Sequence, residues 1–147
     1  MDRYGYSIFC DDIRNEVGGK LSFIGCYNSV MFVPASFPFI LPKFCVHLHI
    51  LSPASQPFRL ILARCYVPGH AEPIVTERIE APGQAEQGRL IDELGDVPAT
   101  PKFIVAAASL VFTPLEIEGP GLISVRALID DDDTELKIGS LRVMVAH

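Results

Sequence analysis

The chain has 147 residues, of which 49% are hydrophobic and 20% charged, and its formal net charge is −6. A chain this long and apolar can bury a core of its own, so the composition excludes a disordered segment and predicts one domain over residues 1–147. The twelve Lys and Arg residues are scattered singly, which argues against nucleic acids and anionic membranes as partners, because both are bound by clustered cations.

No stretch of the sequence reaches the roughly 18 consecutive apolar residues of a transmembrane helix. Residues 1–14 lack the pattern of a signal peptide, so we expect a cytoplasmic location. In that reducing compartment Cys10, Cys26, Cys45 and Cys65 are expected to be free thiols that fill small apolar spaces. Their spacing contains no CxxC pair, which argues against a structural zinc site.

Alternation of apolar residues with a period of two predicts strands along most of the chain. In chain order, the predicted strands cover residues 4–10, 21–27, 30–33, 43–51, 58–67, 73–79, 103–112, 122–129 and 135–145. Gly18 and Gly19 predict a turn between the first two strands, because glycine adopts positive φ without strain. A slip in the alternation near Gly139 and Ser140 predicts a β-bulge in the last strand.

Three other segments have distinctive composition. Residues 37–42 are apolar but contain Pro38 and Pro42, so we predict a connection or a sheet edge there. Residues 103–112 are almost continuously apolar and predict a central strand buried on both faces. Residues 80–102 are rich in Gly and Pro and predict a long loop, in which only residues 85–94 favour a short helix.

About eight or nine strands with short turns and almost no helix are typical of antiparallel β-sandwiches and barrels. We predict an antiparallel two-sheet sandwich of the immunoglobulin-like or C2-like kind. The chain contains no Trp, which excludes the antibody-type core that is built on Cys and Trp.

The opening of the chain reads CDDIRNE at residues 10–16 and GKLSFIGCY at residues 19–27. This pattern of an acidic pair, Gly-Lys, Ser and Ile-Gly-x-Tyr resembles a family of small uncharacterised bacterial and phage-borne domains. The segments at residues 37–42 and 119–121 are also similar to that family's middle and end. The resemblance implies a β-sandwich and a phage-related role, such as a virion component or a countermeasure against host defence. It implies no activity and no functional residues.

A first candidate site is formed by Cys45, His47 and His49, which share one face of the strand predicted at residues 43–51. Two imidazoles and a thiolate are suitable ligands for zinc or a similar metal. The alternative, which we favour, is that these residues form the more polar face of a half-buried strand.

A second candidate is the acidic turn of Asp130, Asp131, Asp132 and Asp133. Such a turn could hold Ca²⁺ if other loops supplied more oxygen ligands. The alternative is a solvated hairpin turn, since Asp is a common turn residue.

A third candidate is the run of Asp11, Asp12, Arg14 and Glu16. Paired carboxylates near an arginine can act as an acid–base pair if they are buried. The alternative is a salt-bridged strand end that orients the following Gly-Gly turn.

The sequence contains no nucleophile elbow and no phosphate-binding loop, so it indicates no cofactor and no class of enzyme. We therefore predict a non-catalytic binding or assembly module that contacts a protein partner or another copy of itself. The candidate interface is the apolar segment with Phe37, Phe39, Ile40 and Leu41, and the loop at residues 80–102 is a second candidate surface. The alternative function is a metal-binding domain or metal-dependent enzyme built on the Cys45, His47 and His49 face.

Overall fold

The computed structural model of the chain describes residues 2–34, 36–80, 89, 93, 102–130 and 134–146. The strands within these residues are β1 (Tyr4–Asn15), β2 (Leu21–Cys26), β3 (Val30–Val33), β4 (Phe39–Leu41), β5 (Phe44–Pro53), β6 (Leu60–Tyr66), β7 (Val75–Glu80), β8 (Phe103–Phe112), β9 (Leu115–Ile117), β10 (Gly121–Ile129) and β11 (Leu136–Val145). The prediction of an all-β chain is confirmed. No helix among the described residues is long and apolar enough to cross a membrane.

The strands form two open sheets that pack face to face. Sheet A has the order β2-β1-β5-β8, and sheet B has the order β3-β11-β10-β6-β7. A β-sandwich is therefore confirmed, and a barrel is excluded. The short strands β4 and β9 pair with each other in a separate two-stranded sheet.

One strand pair departs from the antiparallel prediction. β3 pairs with β11 in the parallel direction, with Arg142 opposite Val30 and Val145 opposite Val33. Residues 27–29 carry the chain from β2 in sheet A to β3 in sheet B, so β3 joins the edge of sheet B without a hairpin. Antiparallel pairing comes naturally to strands joined by tight turns, and β3 has no such link to its neighbour.

The first hairpin shows how local sequence sets the register. Gly18 and Gly19 have φ values of 84° and 74°, which L side chains rarely adopt and which glycine adopts without strain. The predicted turn is confirmed, and it places Asp12 opposite Ile24. The outward positions of β1 are thereby aligned with those of β2.

The core lies between the two sheets and follows from alternation along the strands. Its largest fully buried side chains include Phe44, Leu48 and Ile50 from sheet A and Ile61 and Ile123 from sheet B. Successive side chains of a strand point to opposite faces, so every second residue of these strands is inward. Full burial of a side chain of this size contributes about 1.5–3 kcal/mol.

The burial predicted for residues 103–112 is wrong, although the bounds of β8 match the prediction. β8 lies at the edge of sheet A, and Val105 and Val111 are each 54% exposed. The strand buried on both faces is β5, which is flanked by β1 and β8. The apolar composition of β8 shows that it lacks charged residues, but it does not predict burial. A strand is buried when it has neighbours on both sides in the sheet, as β5 does.

The remaining differences concern short or irregular elements. The described residues contain eleven strands instead of eight or nine, because β4 and β9 have only three residues each and too little alternation to be detected. Residues 37–42 form an edge as predicted, since β4 pairs only with β9. The predicted bulge is confirmed near Gly139, where the pairing of β10 with β11 shifts register.

The predicted helix at residues 85–94 falls almost entirely outside the described residues. The two described positions in that interval, Arg89 and Glu93, have helical backbone and form an ion pair of 3.7 Å.

Candidate functional site

The outward face of sheet A is unusual because, where β1 pairs with β5 and β5 pairs with β8, none of its positions is Lys, Arg, Asp or Glu. Asp12 and Arg14 follow further along β1, where it pairs with β2. We call the uncharged surface the sheet A face. Strand pairing assembles it from Tyr4, Tyr6, Ile8 and Cys10 on β1, Cys45, His47, His49 and Leu51 on β5, and Phe103, Val105, Ala107, Ser109 and Val111 on β8. The outward face of a sandwich sheet is normally polar, so an apolar, uncharged face indicates a contact surface.

Several of these apolar side chains are substantially exposed. Tyr4 and Tyr6 are 48% and 47% exposed, and Val105 and Val111 are each 54% exposed. The ring of Tyr4 packs edge-on against Phe103, with 5.7 Å between their centroids. The exposed residues therefore form one connected patch across β1 and β8 rather than isolated side chains.

Two histidines lie at the centre of the sheet A face. His47 is buried, and its Nδ1 lies 2.8 Å from the hydroxyl oxygen of Ser109. Burial lowers the pKa of His47, and the neighbouring His49 lowers it further. His47 is therefore held towards its neutral form, which suits an uncharged surface.

His49 is held between aromatic rings. Its ring stacks on Tyr6 at a centroid distance of 4.9 Å and meets His47 edge-on at 4.6 Å. Its Nδ1 is buried and makes no hydrogen bond to any described residue. An unsatisfied buried polar atom costs about 1–3 kcal/mol, so the packing of His49 between these rings leaves one nitrogen without the hydrogen bond that water would give it.

The predicted metal ligands share a face but are not arranged as a metal centre. The Cys45 thiol is buried and lies 3.8 Å from the Asp11 carbonyl oxygen, and Nδ1 of His47 contacts Ser109. Among the described residues, no group of three or more His, Cys, Asp or Glu side chains is placed to hold a metal ion. The structure instead places Cys45, His47 and His49 within a packed, mostly apolar surface.

Three of the four thiols are buried, and burial is the main cause of their altered acidity. It raises the pKa of Cys10 to about 11 and that of Cys65 to about 12, and it also raises the pKa of Cys45. All four cysteines are free, and only Cys26 is exposed. Because the thiolate is the nucleophile and the metal ligand, the buried thiols are suited to packing rather than to chemistry.

The acidic turn is described only at Asp130. Its Oδ1 accepts hydrogen bonds from the backbone N–H groups of Arg59 and Leu60, at 2.8 and 2.9 Å. This carboxylate therefore ties the end of β10 to the start of β6. Asp131, Asp132 and Asp133 lie outside the described residues. The prediction of a calcium site at this turn is therefore not tested.

The acidic run near the first turn has structural partners. Asp12 forms an ion pair of 2.6 Å with Lys43, and the hydrogen bond from Lys43 lowers the pKa of Asp12. Asp11 accepts a hydrogen bond of 2.8 Å from the Tyr27 hydroxyl. These contacts support the structural interpretation of the cluster over an acid–base pair.

The apolar segment predicted as the interface is mostly used inside the molecule. Phe37, Phe39 and Leu41 pack against the core, and only Ile40 is strongly exposed, at 55%. A single exposed side chain is ordinary on a protein surface. We therefore shift the candidate interface from this segment to the sheet A face.

Comparison of the chain with protein-family models, with curated proteins and with solved structures finds no match. The resemblance of residues 10–27 to bacterial and phage-borne domains stays a prediction.

Sequence reasoning missed the sheet A face although part of its signal was present. Residues 44–51 and 103–112 contain no charged residue, and residues 4–10 contain none either. The pairing of these three segments in one sheet was not visible, because strands of the other sheets separate them in the chain.

Proposed function

We propose that this protein is an assembly module, in which the sheet A face of one molecule packs against the same face of a second copy. The observation that carries the proposal is an outward surface without a charged residue, formed where β1 pairs with β5 and β5 pairs with β8. This replaces the segment at residues 37–42 as the contact surface and keeps the predicted class of function.

A second copy is the occupant that the charges favour. Each molecule carries a net charge of −6, so two copies repel each other on average. An uncharged face is where that repulsion is weakest, and in a two-fold contact it meets an identical uncharged face. In such a contact two sheets pack face to face about 10 Å apart and bury apolar side chains between them, as the two sheets of the sandwich core do.

The size of the face predicts a reversible contact. Three strands about 4.8 Å apart, with about seven to nine residues each at about 3.4 Å, cover roughly 14 Å by 24–31 Å. That is smaller than the surface of about 800 Å² per partner in a standard interface. We expect a dimer with a dissociation constant of roughly tens to a few hundred micromolar.

Sedimentation velocity of the wild type and two lysine variants tests this proposal. Val105→Lys places a charge on the sheet A face at a position that is 54% exposed, so the monomer can keep the lysine in water. Phe32→Lys is the matched control, because Phe32 is 66% exposed on the outward side of sheet B. Samples span about 10 to 500 µM, which brackets the expected dissociation constant.

We expect the wild type and Phe32→Lys to dimerise with rising concentration and Val105→Lys to remain a monomer. Circular dichroism and a thermal melt check that each variant is folded, and Val111→Lys serves as a second charge substitution if Val105→Lys is not. A wild type that stays monomeric at the highest concentration would contradict the proposal. So would a folded Val105→Lys or Val111→Lys protein that dimerises like the wild type.

A further inference from the structure

The outward side of sheet B has the opposite character from the sheet A face, because cations are concentrated on it. Pairing of β6, β7, β10 and β11 brings Arg64, Arg78, Arg126, Lys137 and Arg142 to this side. Glu80 lies on the same side and forms an ion pair of 3.1 Å with Arg78. Over the whole sequence, acidic residues outnumber basic ones by 18 to 12. Clustering of cations on one side of an acidic protein requires a physical reason.

The strongest concentration is a row across three neighbouring strands. Arg126 on β10 is paired with Lys137 on β11 and with Arg64 on β6. Like charges directly opposite each other on adjacent strands destabilise a sheet. Arg126 forms an ion pair of 3.7 Å with Glu135 and lies 4.8 Å from the ring centroid of Tyr66. Lys137 and Arg64 form no ion pair with any described residue.

A depression lies beside this row, at the β-bulge. The pairing of β10 with β11 shifts register between Val125 and Arg126, opposite Gly139. The resulting cavity has a volume of about 260 Å³ and is lined by Ser124, Arg126, Lys137 and Ser140, among others. It thus combines two cationic side chains with two hydroxyl groups that can donate hydrogen bonds.

Gly139 lies where the bulge of sheet B approaches β1 of sheet A. A Cβ atom at Gly139 would lie 2.8 Å from Cβ of Ser7 in β1. Its φ of 156° also disfavours an L side chain. A side chain at this position of the bulge would therefore collide with the facing sheet, so the close packing of the two sheets requires glycine here.

We propose that this depression binds a phosphate group, either free inorganic phosphate or the phosphate of a small monoester. Arginine offers a planar fork of N–H donors that matches phosphate oxygens, and lysine adds a compact positive charge. The Ser124 and Ser140 hydroxyls supply neutral donors at the same place. A volume below the usual range of about 300–1,000 Å³ for drug-sized ligands fits a small anion.

Titration of ¹⁵N-labelled protein with sodium phosphate, followed by NMR, tests the site. Ionic strength is held constant with sodium chloride, so that screening of surface charge does not change during the titration. We expect saturable shifts centred on the amides of Ser124, Gly139 and Ser140. Glycerol phosphate is titrated in parallel, and tighter binding than inorganic phosphate would identify a monoester as the ligand.

Lys137→Gln and Arg142→Gln form a matched pair of variants. Both residues are exposed on β11 and both variants remove one positive charge, but only Lys137 lines the depression. We expect Lys137→Gln to weaken phosphate binding by about tenfold, as loss of a charge-assisted hydrogen bond does. Arg142→Gln should bind phosphate within about twofold of the wild type.

Three outcomes would overturn the proposal. The first is the absence of saturable shifts with both phosphate and glycerol phosphate. The second is equal weakening by the two variants, which would indicate general attraction to a basic surface. The third is binding of an oligonucleotide over the whole outward side of sheet B without any site for a single phosphate, which would assign this surface to nucleic acid instead.

Discussion

At the residue scale, burial rather than residue type decides what the polar and sulfur-containing side chains of this protein can do. Cys10, Cys45 and Cys65 are fully buried with raised pKa values, whereas Cys26 is exposed. His47 is kept towards its neutral form by burial. The same residue types at an open surface would be candidate nucleophiles or metal ligands.

This difference between the cysteines predicts selective alkylation. Iodoacetamide added to the native protein near pH 8 should label Cys26 and leave Cys10, Cys45 and Cys65 unlabelled, because alkylation requires an accessible thiolate. Peptide mass spectrometry after quenching identifies the labelled residue. In guanidinium chloride all four thiols should react, which provides the control. Labelling of any buried cysteine at the rate of Cys26 would show that its strand opens readily.

At the scale of elements, single side chains hold strand ends where no hairpin joins them. β6 and β10 are paired in sheet B but far apart in the chain, and Asp130 ties them through the N–H groups of Arg59 and Leu60. Asp130 also has a positive φ of 53°, a conformation that Asp and Asn tolerate better than most residues. Asp130 therefore contributes in two ways: its carboxylate accepts two hydrogen bonds, and its backbone adopts a positive φ at the end of β10.

Substitution of Asp130 separates these two contributions. Asp130→Ala removes the acceptor and disfavours the positive φ, so we expect a loss of about 1–3 kcal/mol in the free energy of unfolding. Asp130→Asn keeps an acceptor oxygen and tolerates the conformation, so its loss should be less than about 1 kcal/mol. Urea denaturation of both variants and the wild type gives the values. Equal losses in the two variants would show that the negative charge matters and that the acceptor does not.

At the scale of the whole molecule, the two sheets present different surfaces to solvent. The sheet A face lacks charged residues, and the outward side of sheet B concentrates cations. These surfaces lie on opposite sides of one core, so assembly through the first leaves the second open. The proposed dimer and the proposed phosphate site are therefore compatible in one particle.

Protonation of the sheet A face should destabilise the molecule. The pKa of His47 is lowered in the folded state, so below about pH 6.5, the value of an unperturbed histidine, the unfolded chain binds more protons. Stability from this group is complete above about pH 6.5 and is lost as the pH falls towards the folded-state pKa. The slope is at most about 1.4 kcal/mol per pH unit for one group.

Denaturation of the wild type and His47→Gln between about pH 7 and pH 5 measures this effect. Subtracting the two profiles removes contributions that both proteins share. The lowered pKa of Asp12 acts at more acidic pH, below its ordinary value of 3.8. A difference profile that is flat between pH 7 and pH 5 would show that His47 is not held neutral by the fold.

Much of the local structure was predictable from sequence, and particular elements show why. β3 at Val30–Val33 and β8 at Phe103–Phe112 have the predicted bounds, and Gly18 and Gly19 form the predicted turn. Alternation, glycine and proline act within a few residues of chain, so a linear sequence displays them directly. Prediction failed where the signal was too short, as in β4 and β9, or depended on neighbours distant in the chain.

By itself the sequence determined the all-β class, most strand positions and the acidic, apolar composition, because these follow from local conformational preference and residue chemistry. Only the tertiary structure decided that β8 is an edge, that β3 runs parallel to β11, and that Lys137 lies opposite Arg126. Both candidate surfaces depend on such pairings. The order of strands in a sheet depends on which arrangement buries the most apolar surface over the whole chain. A short segment of the sequence does not contain that information.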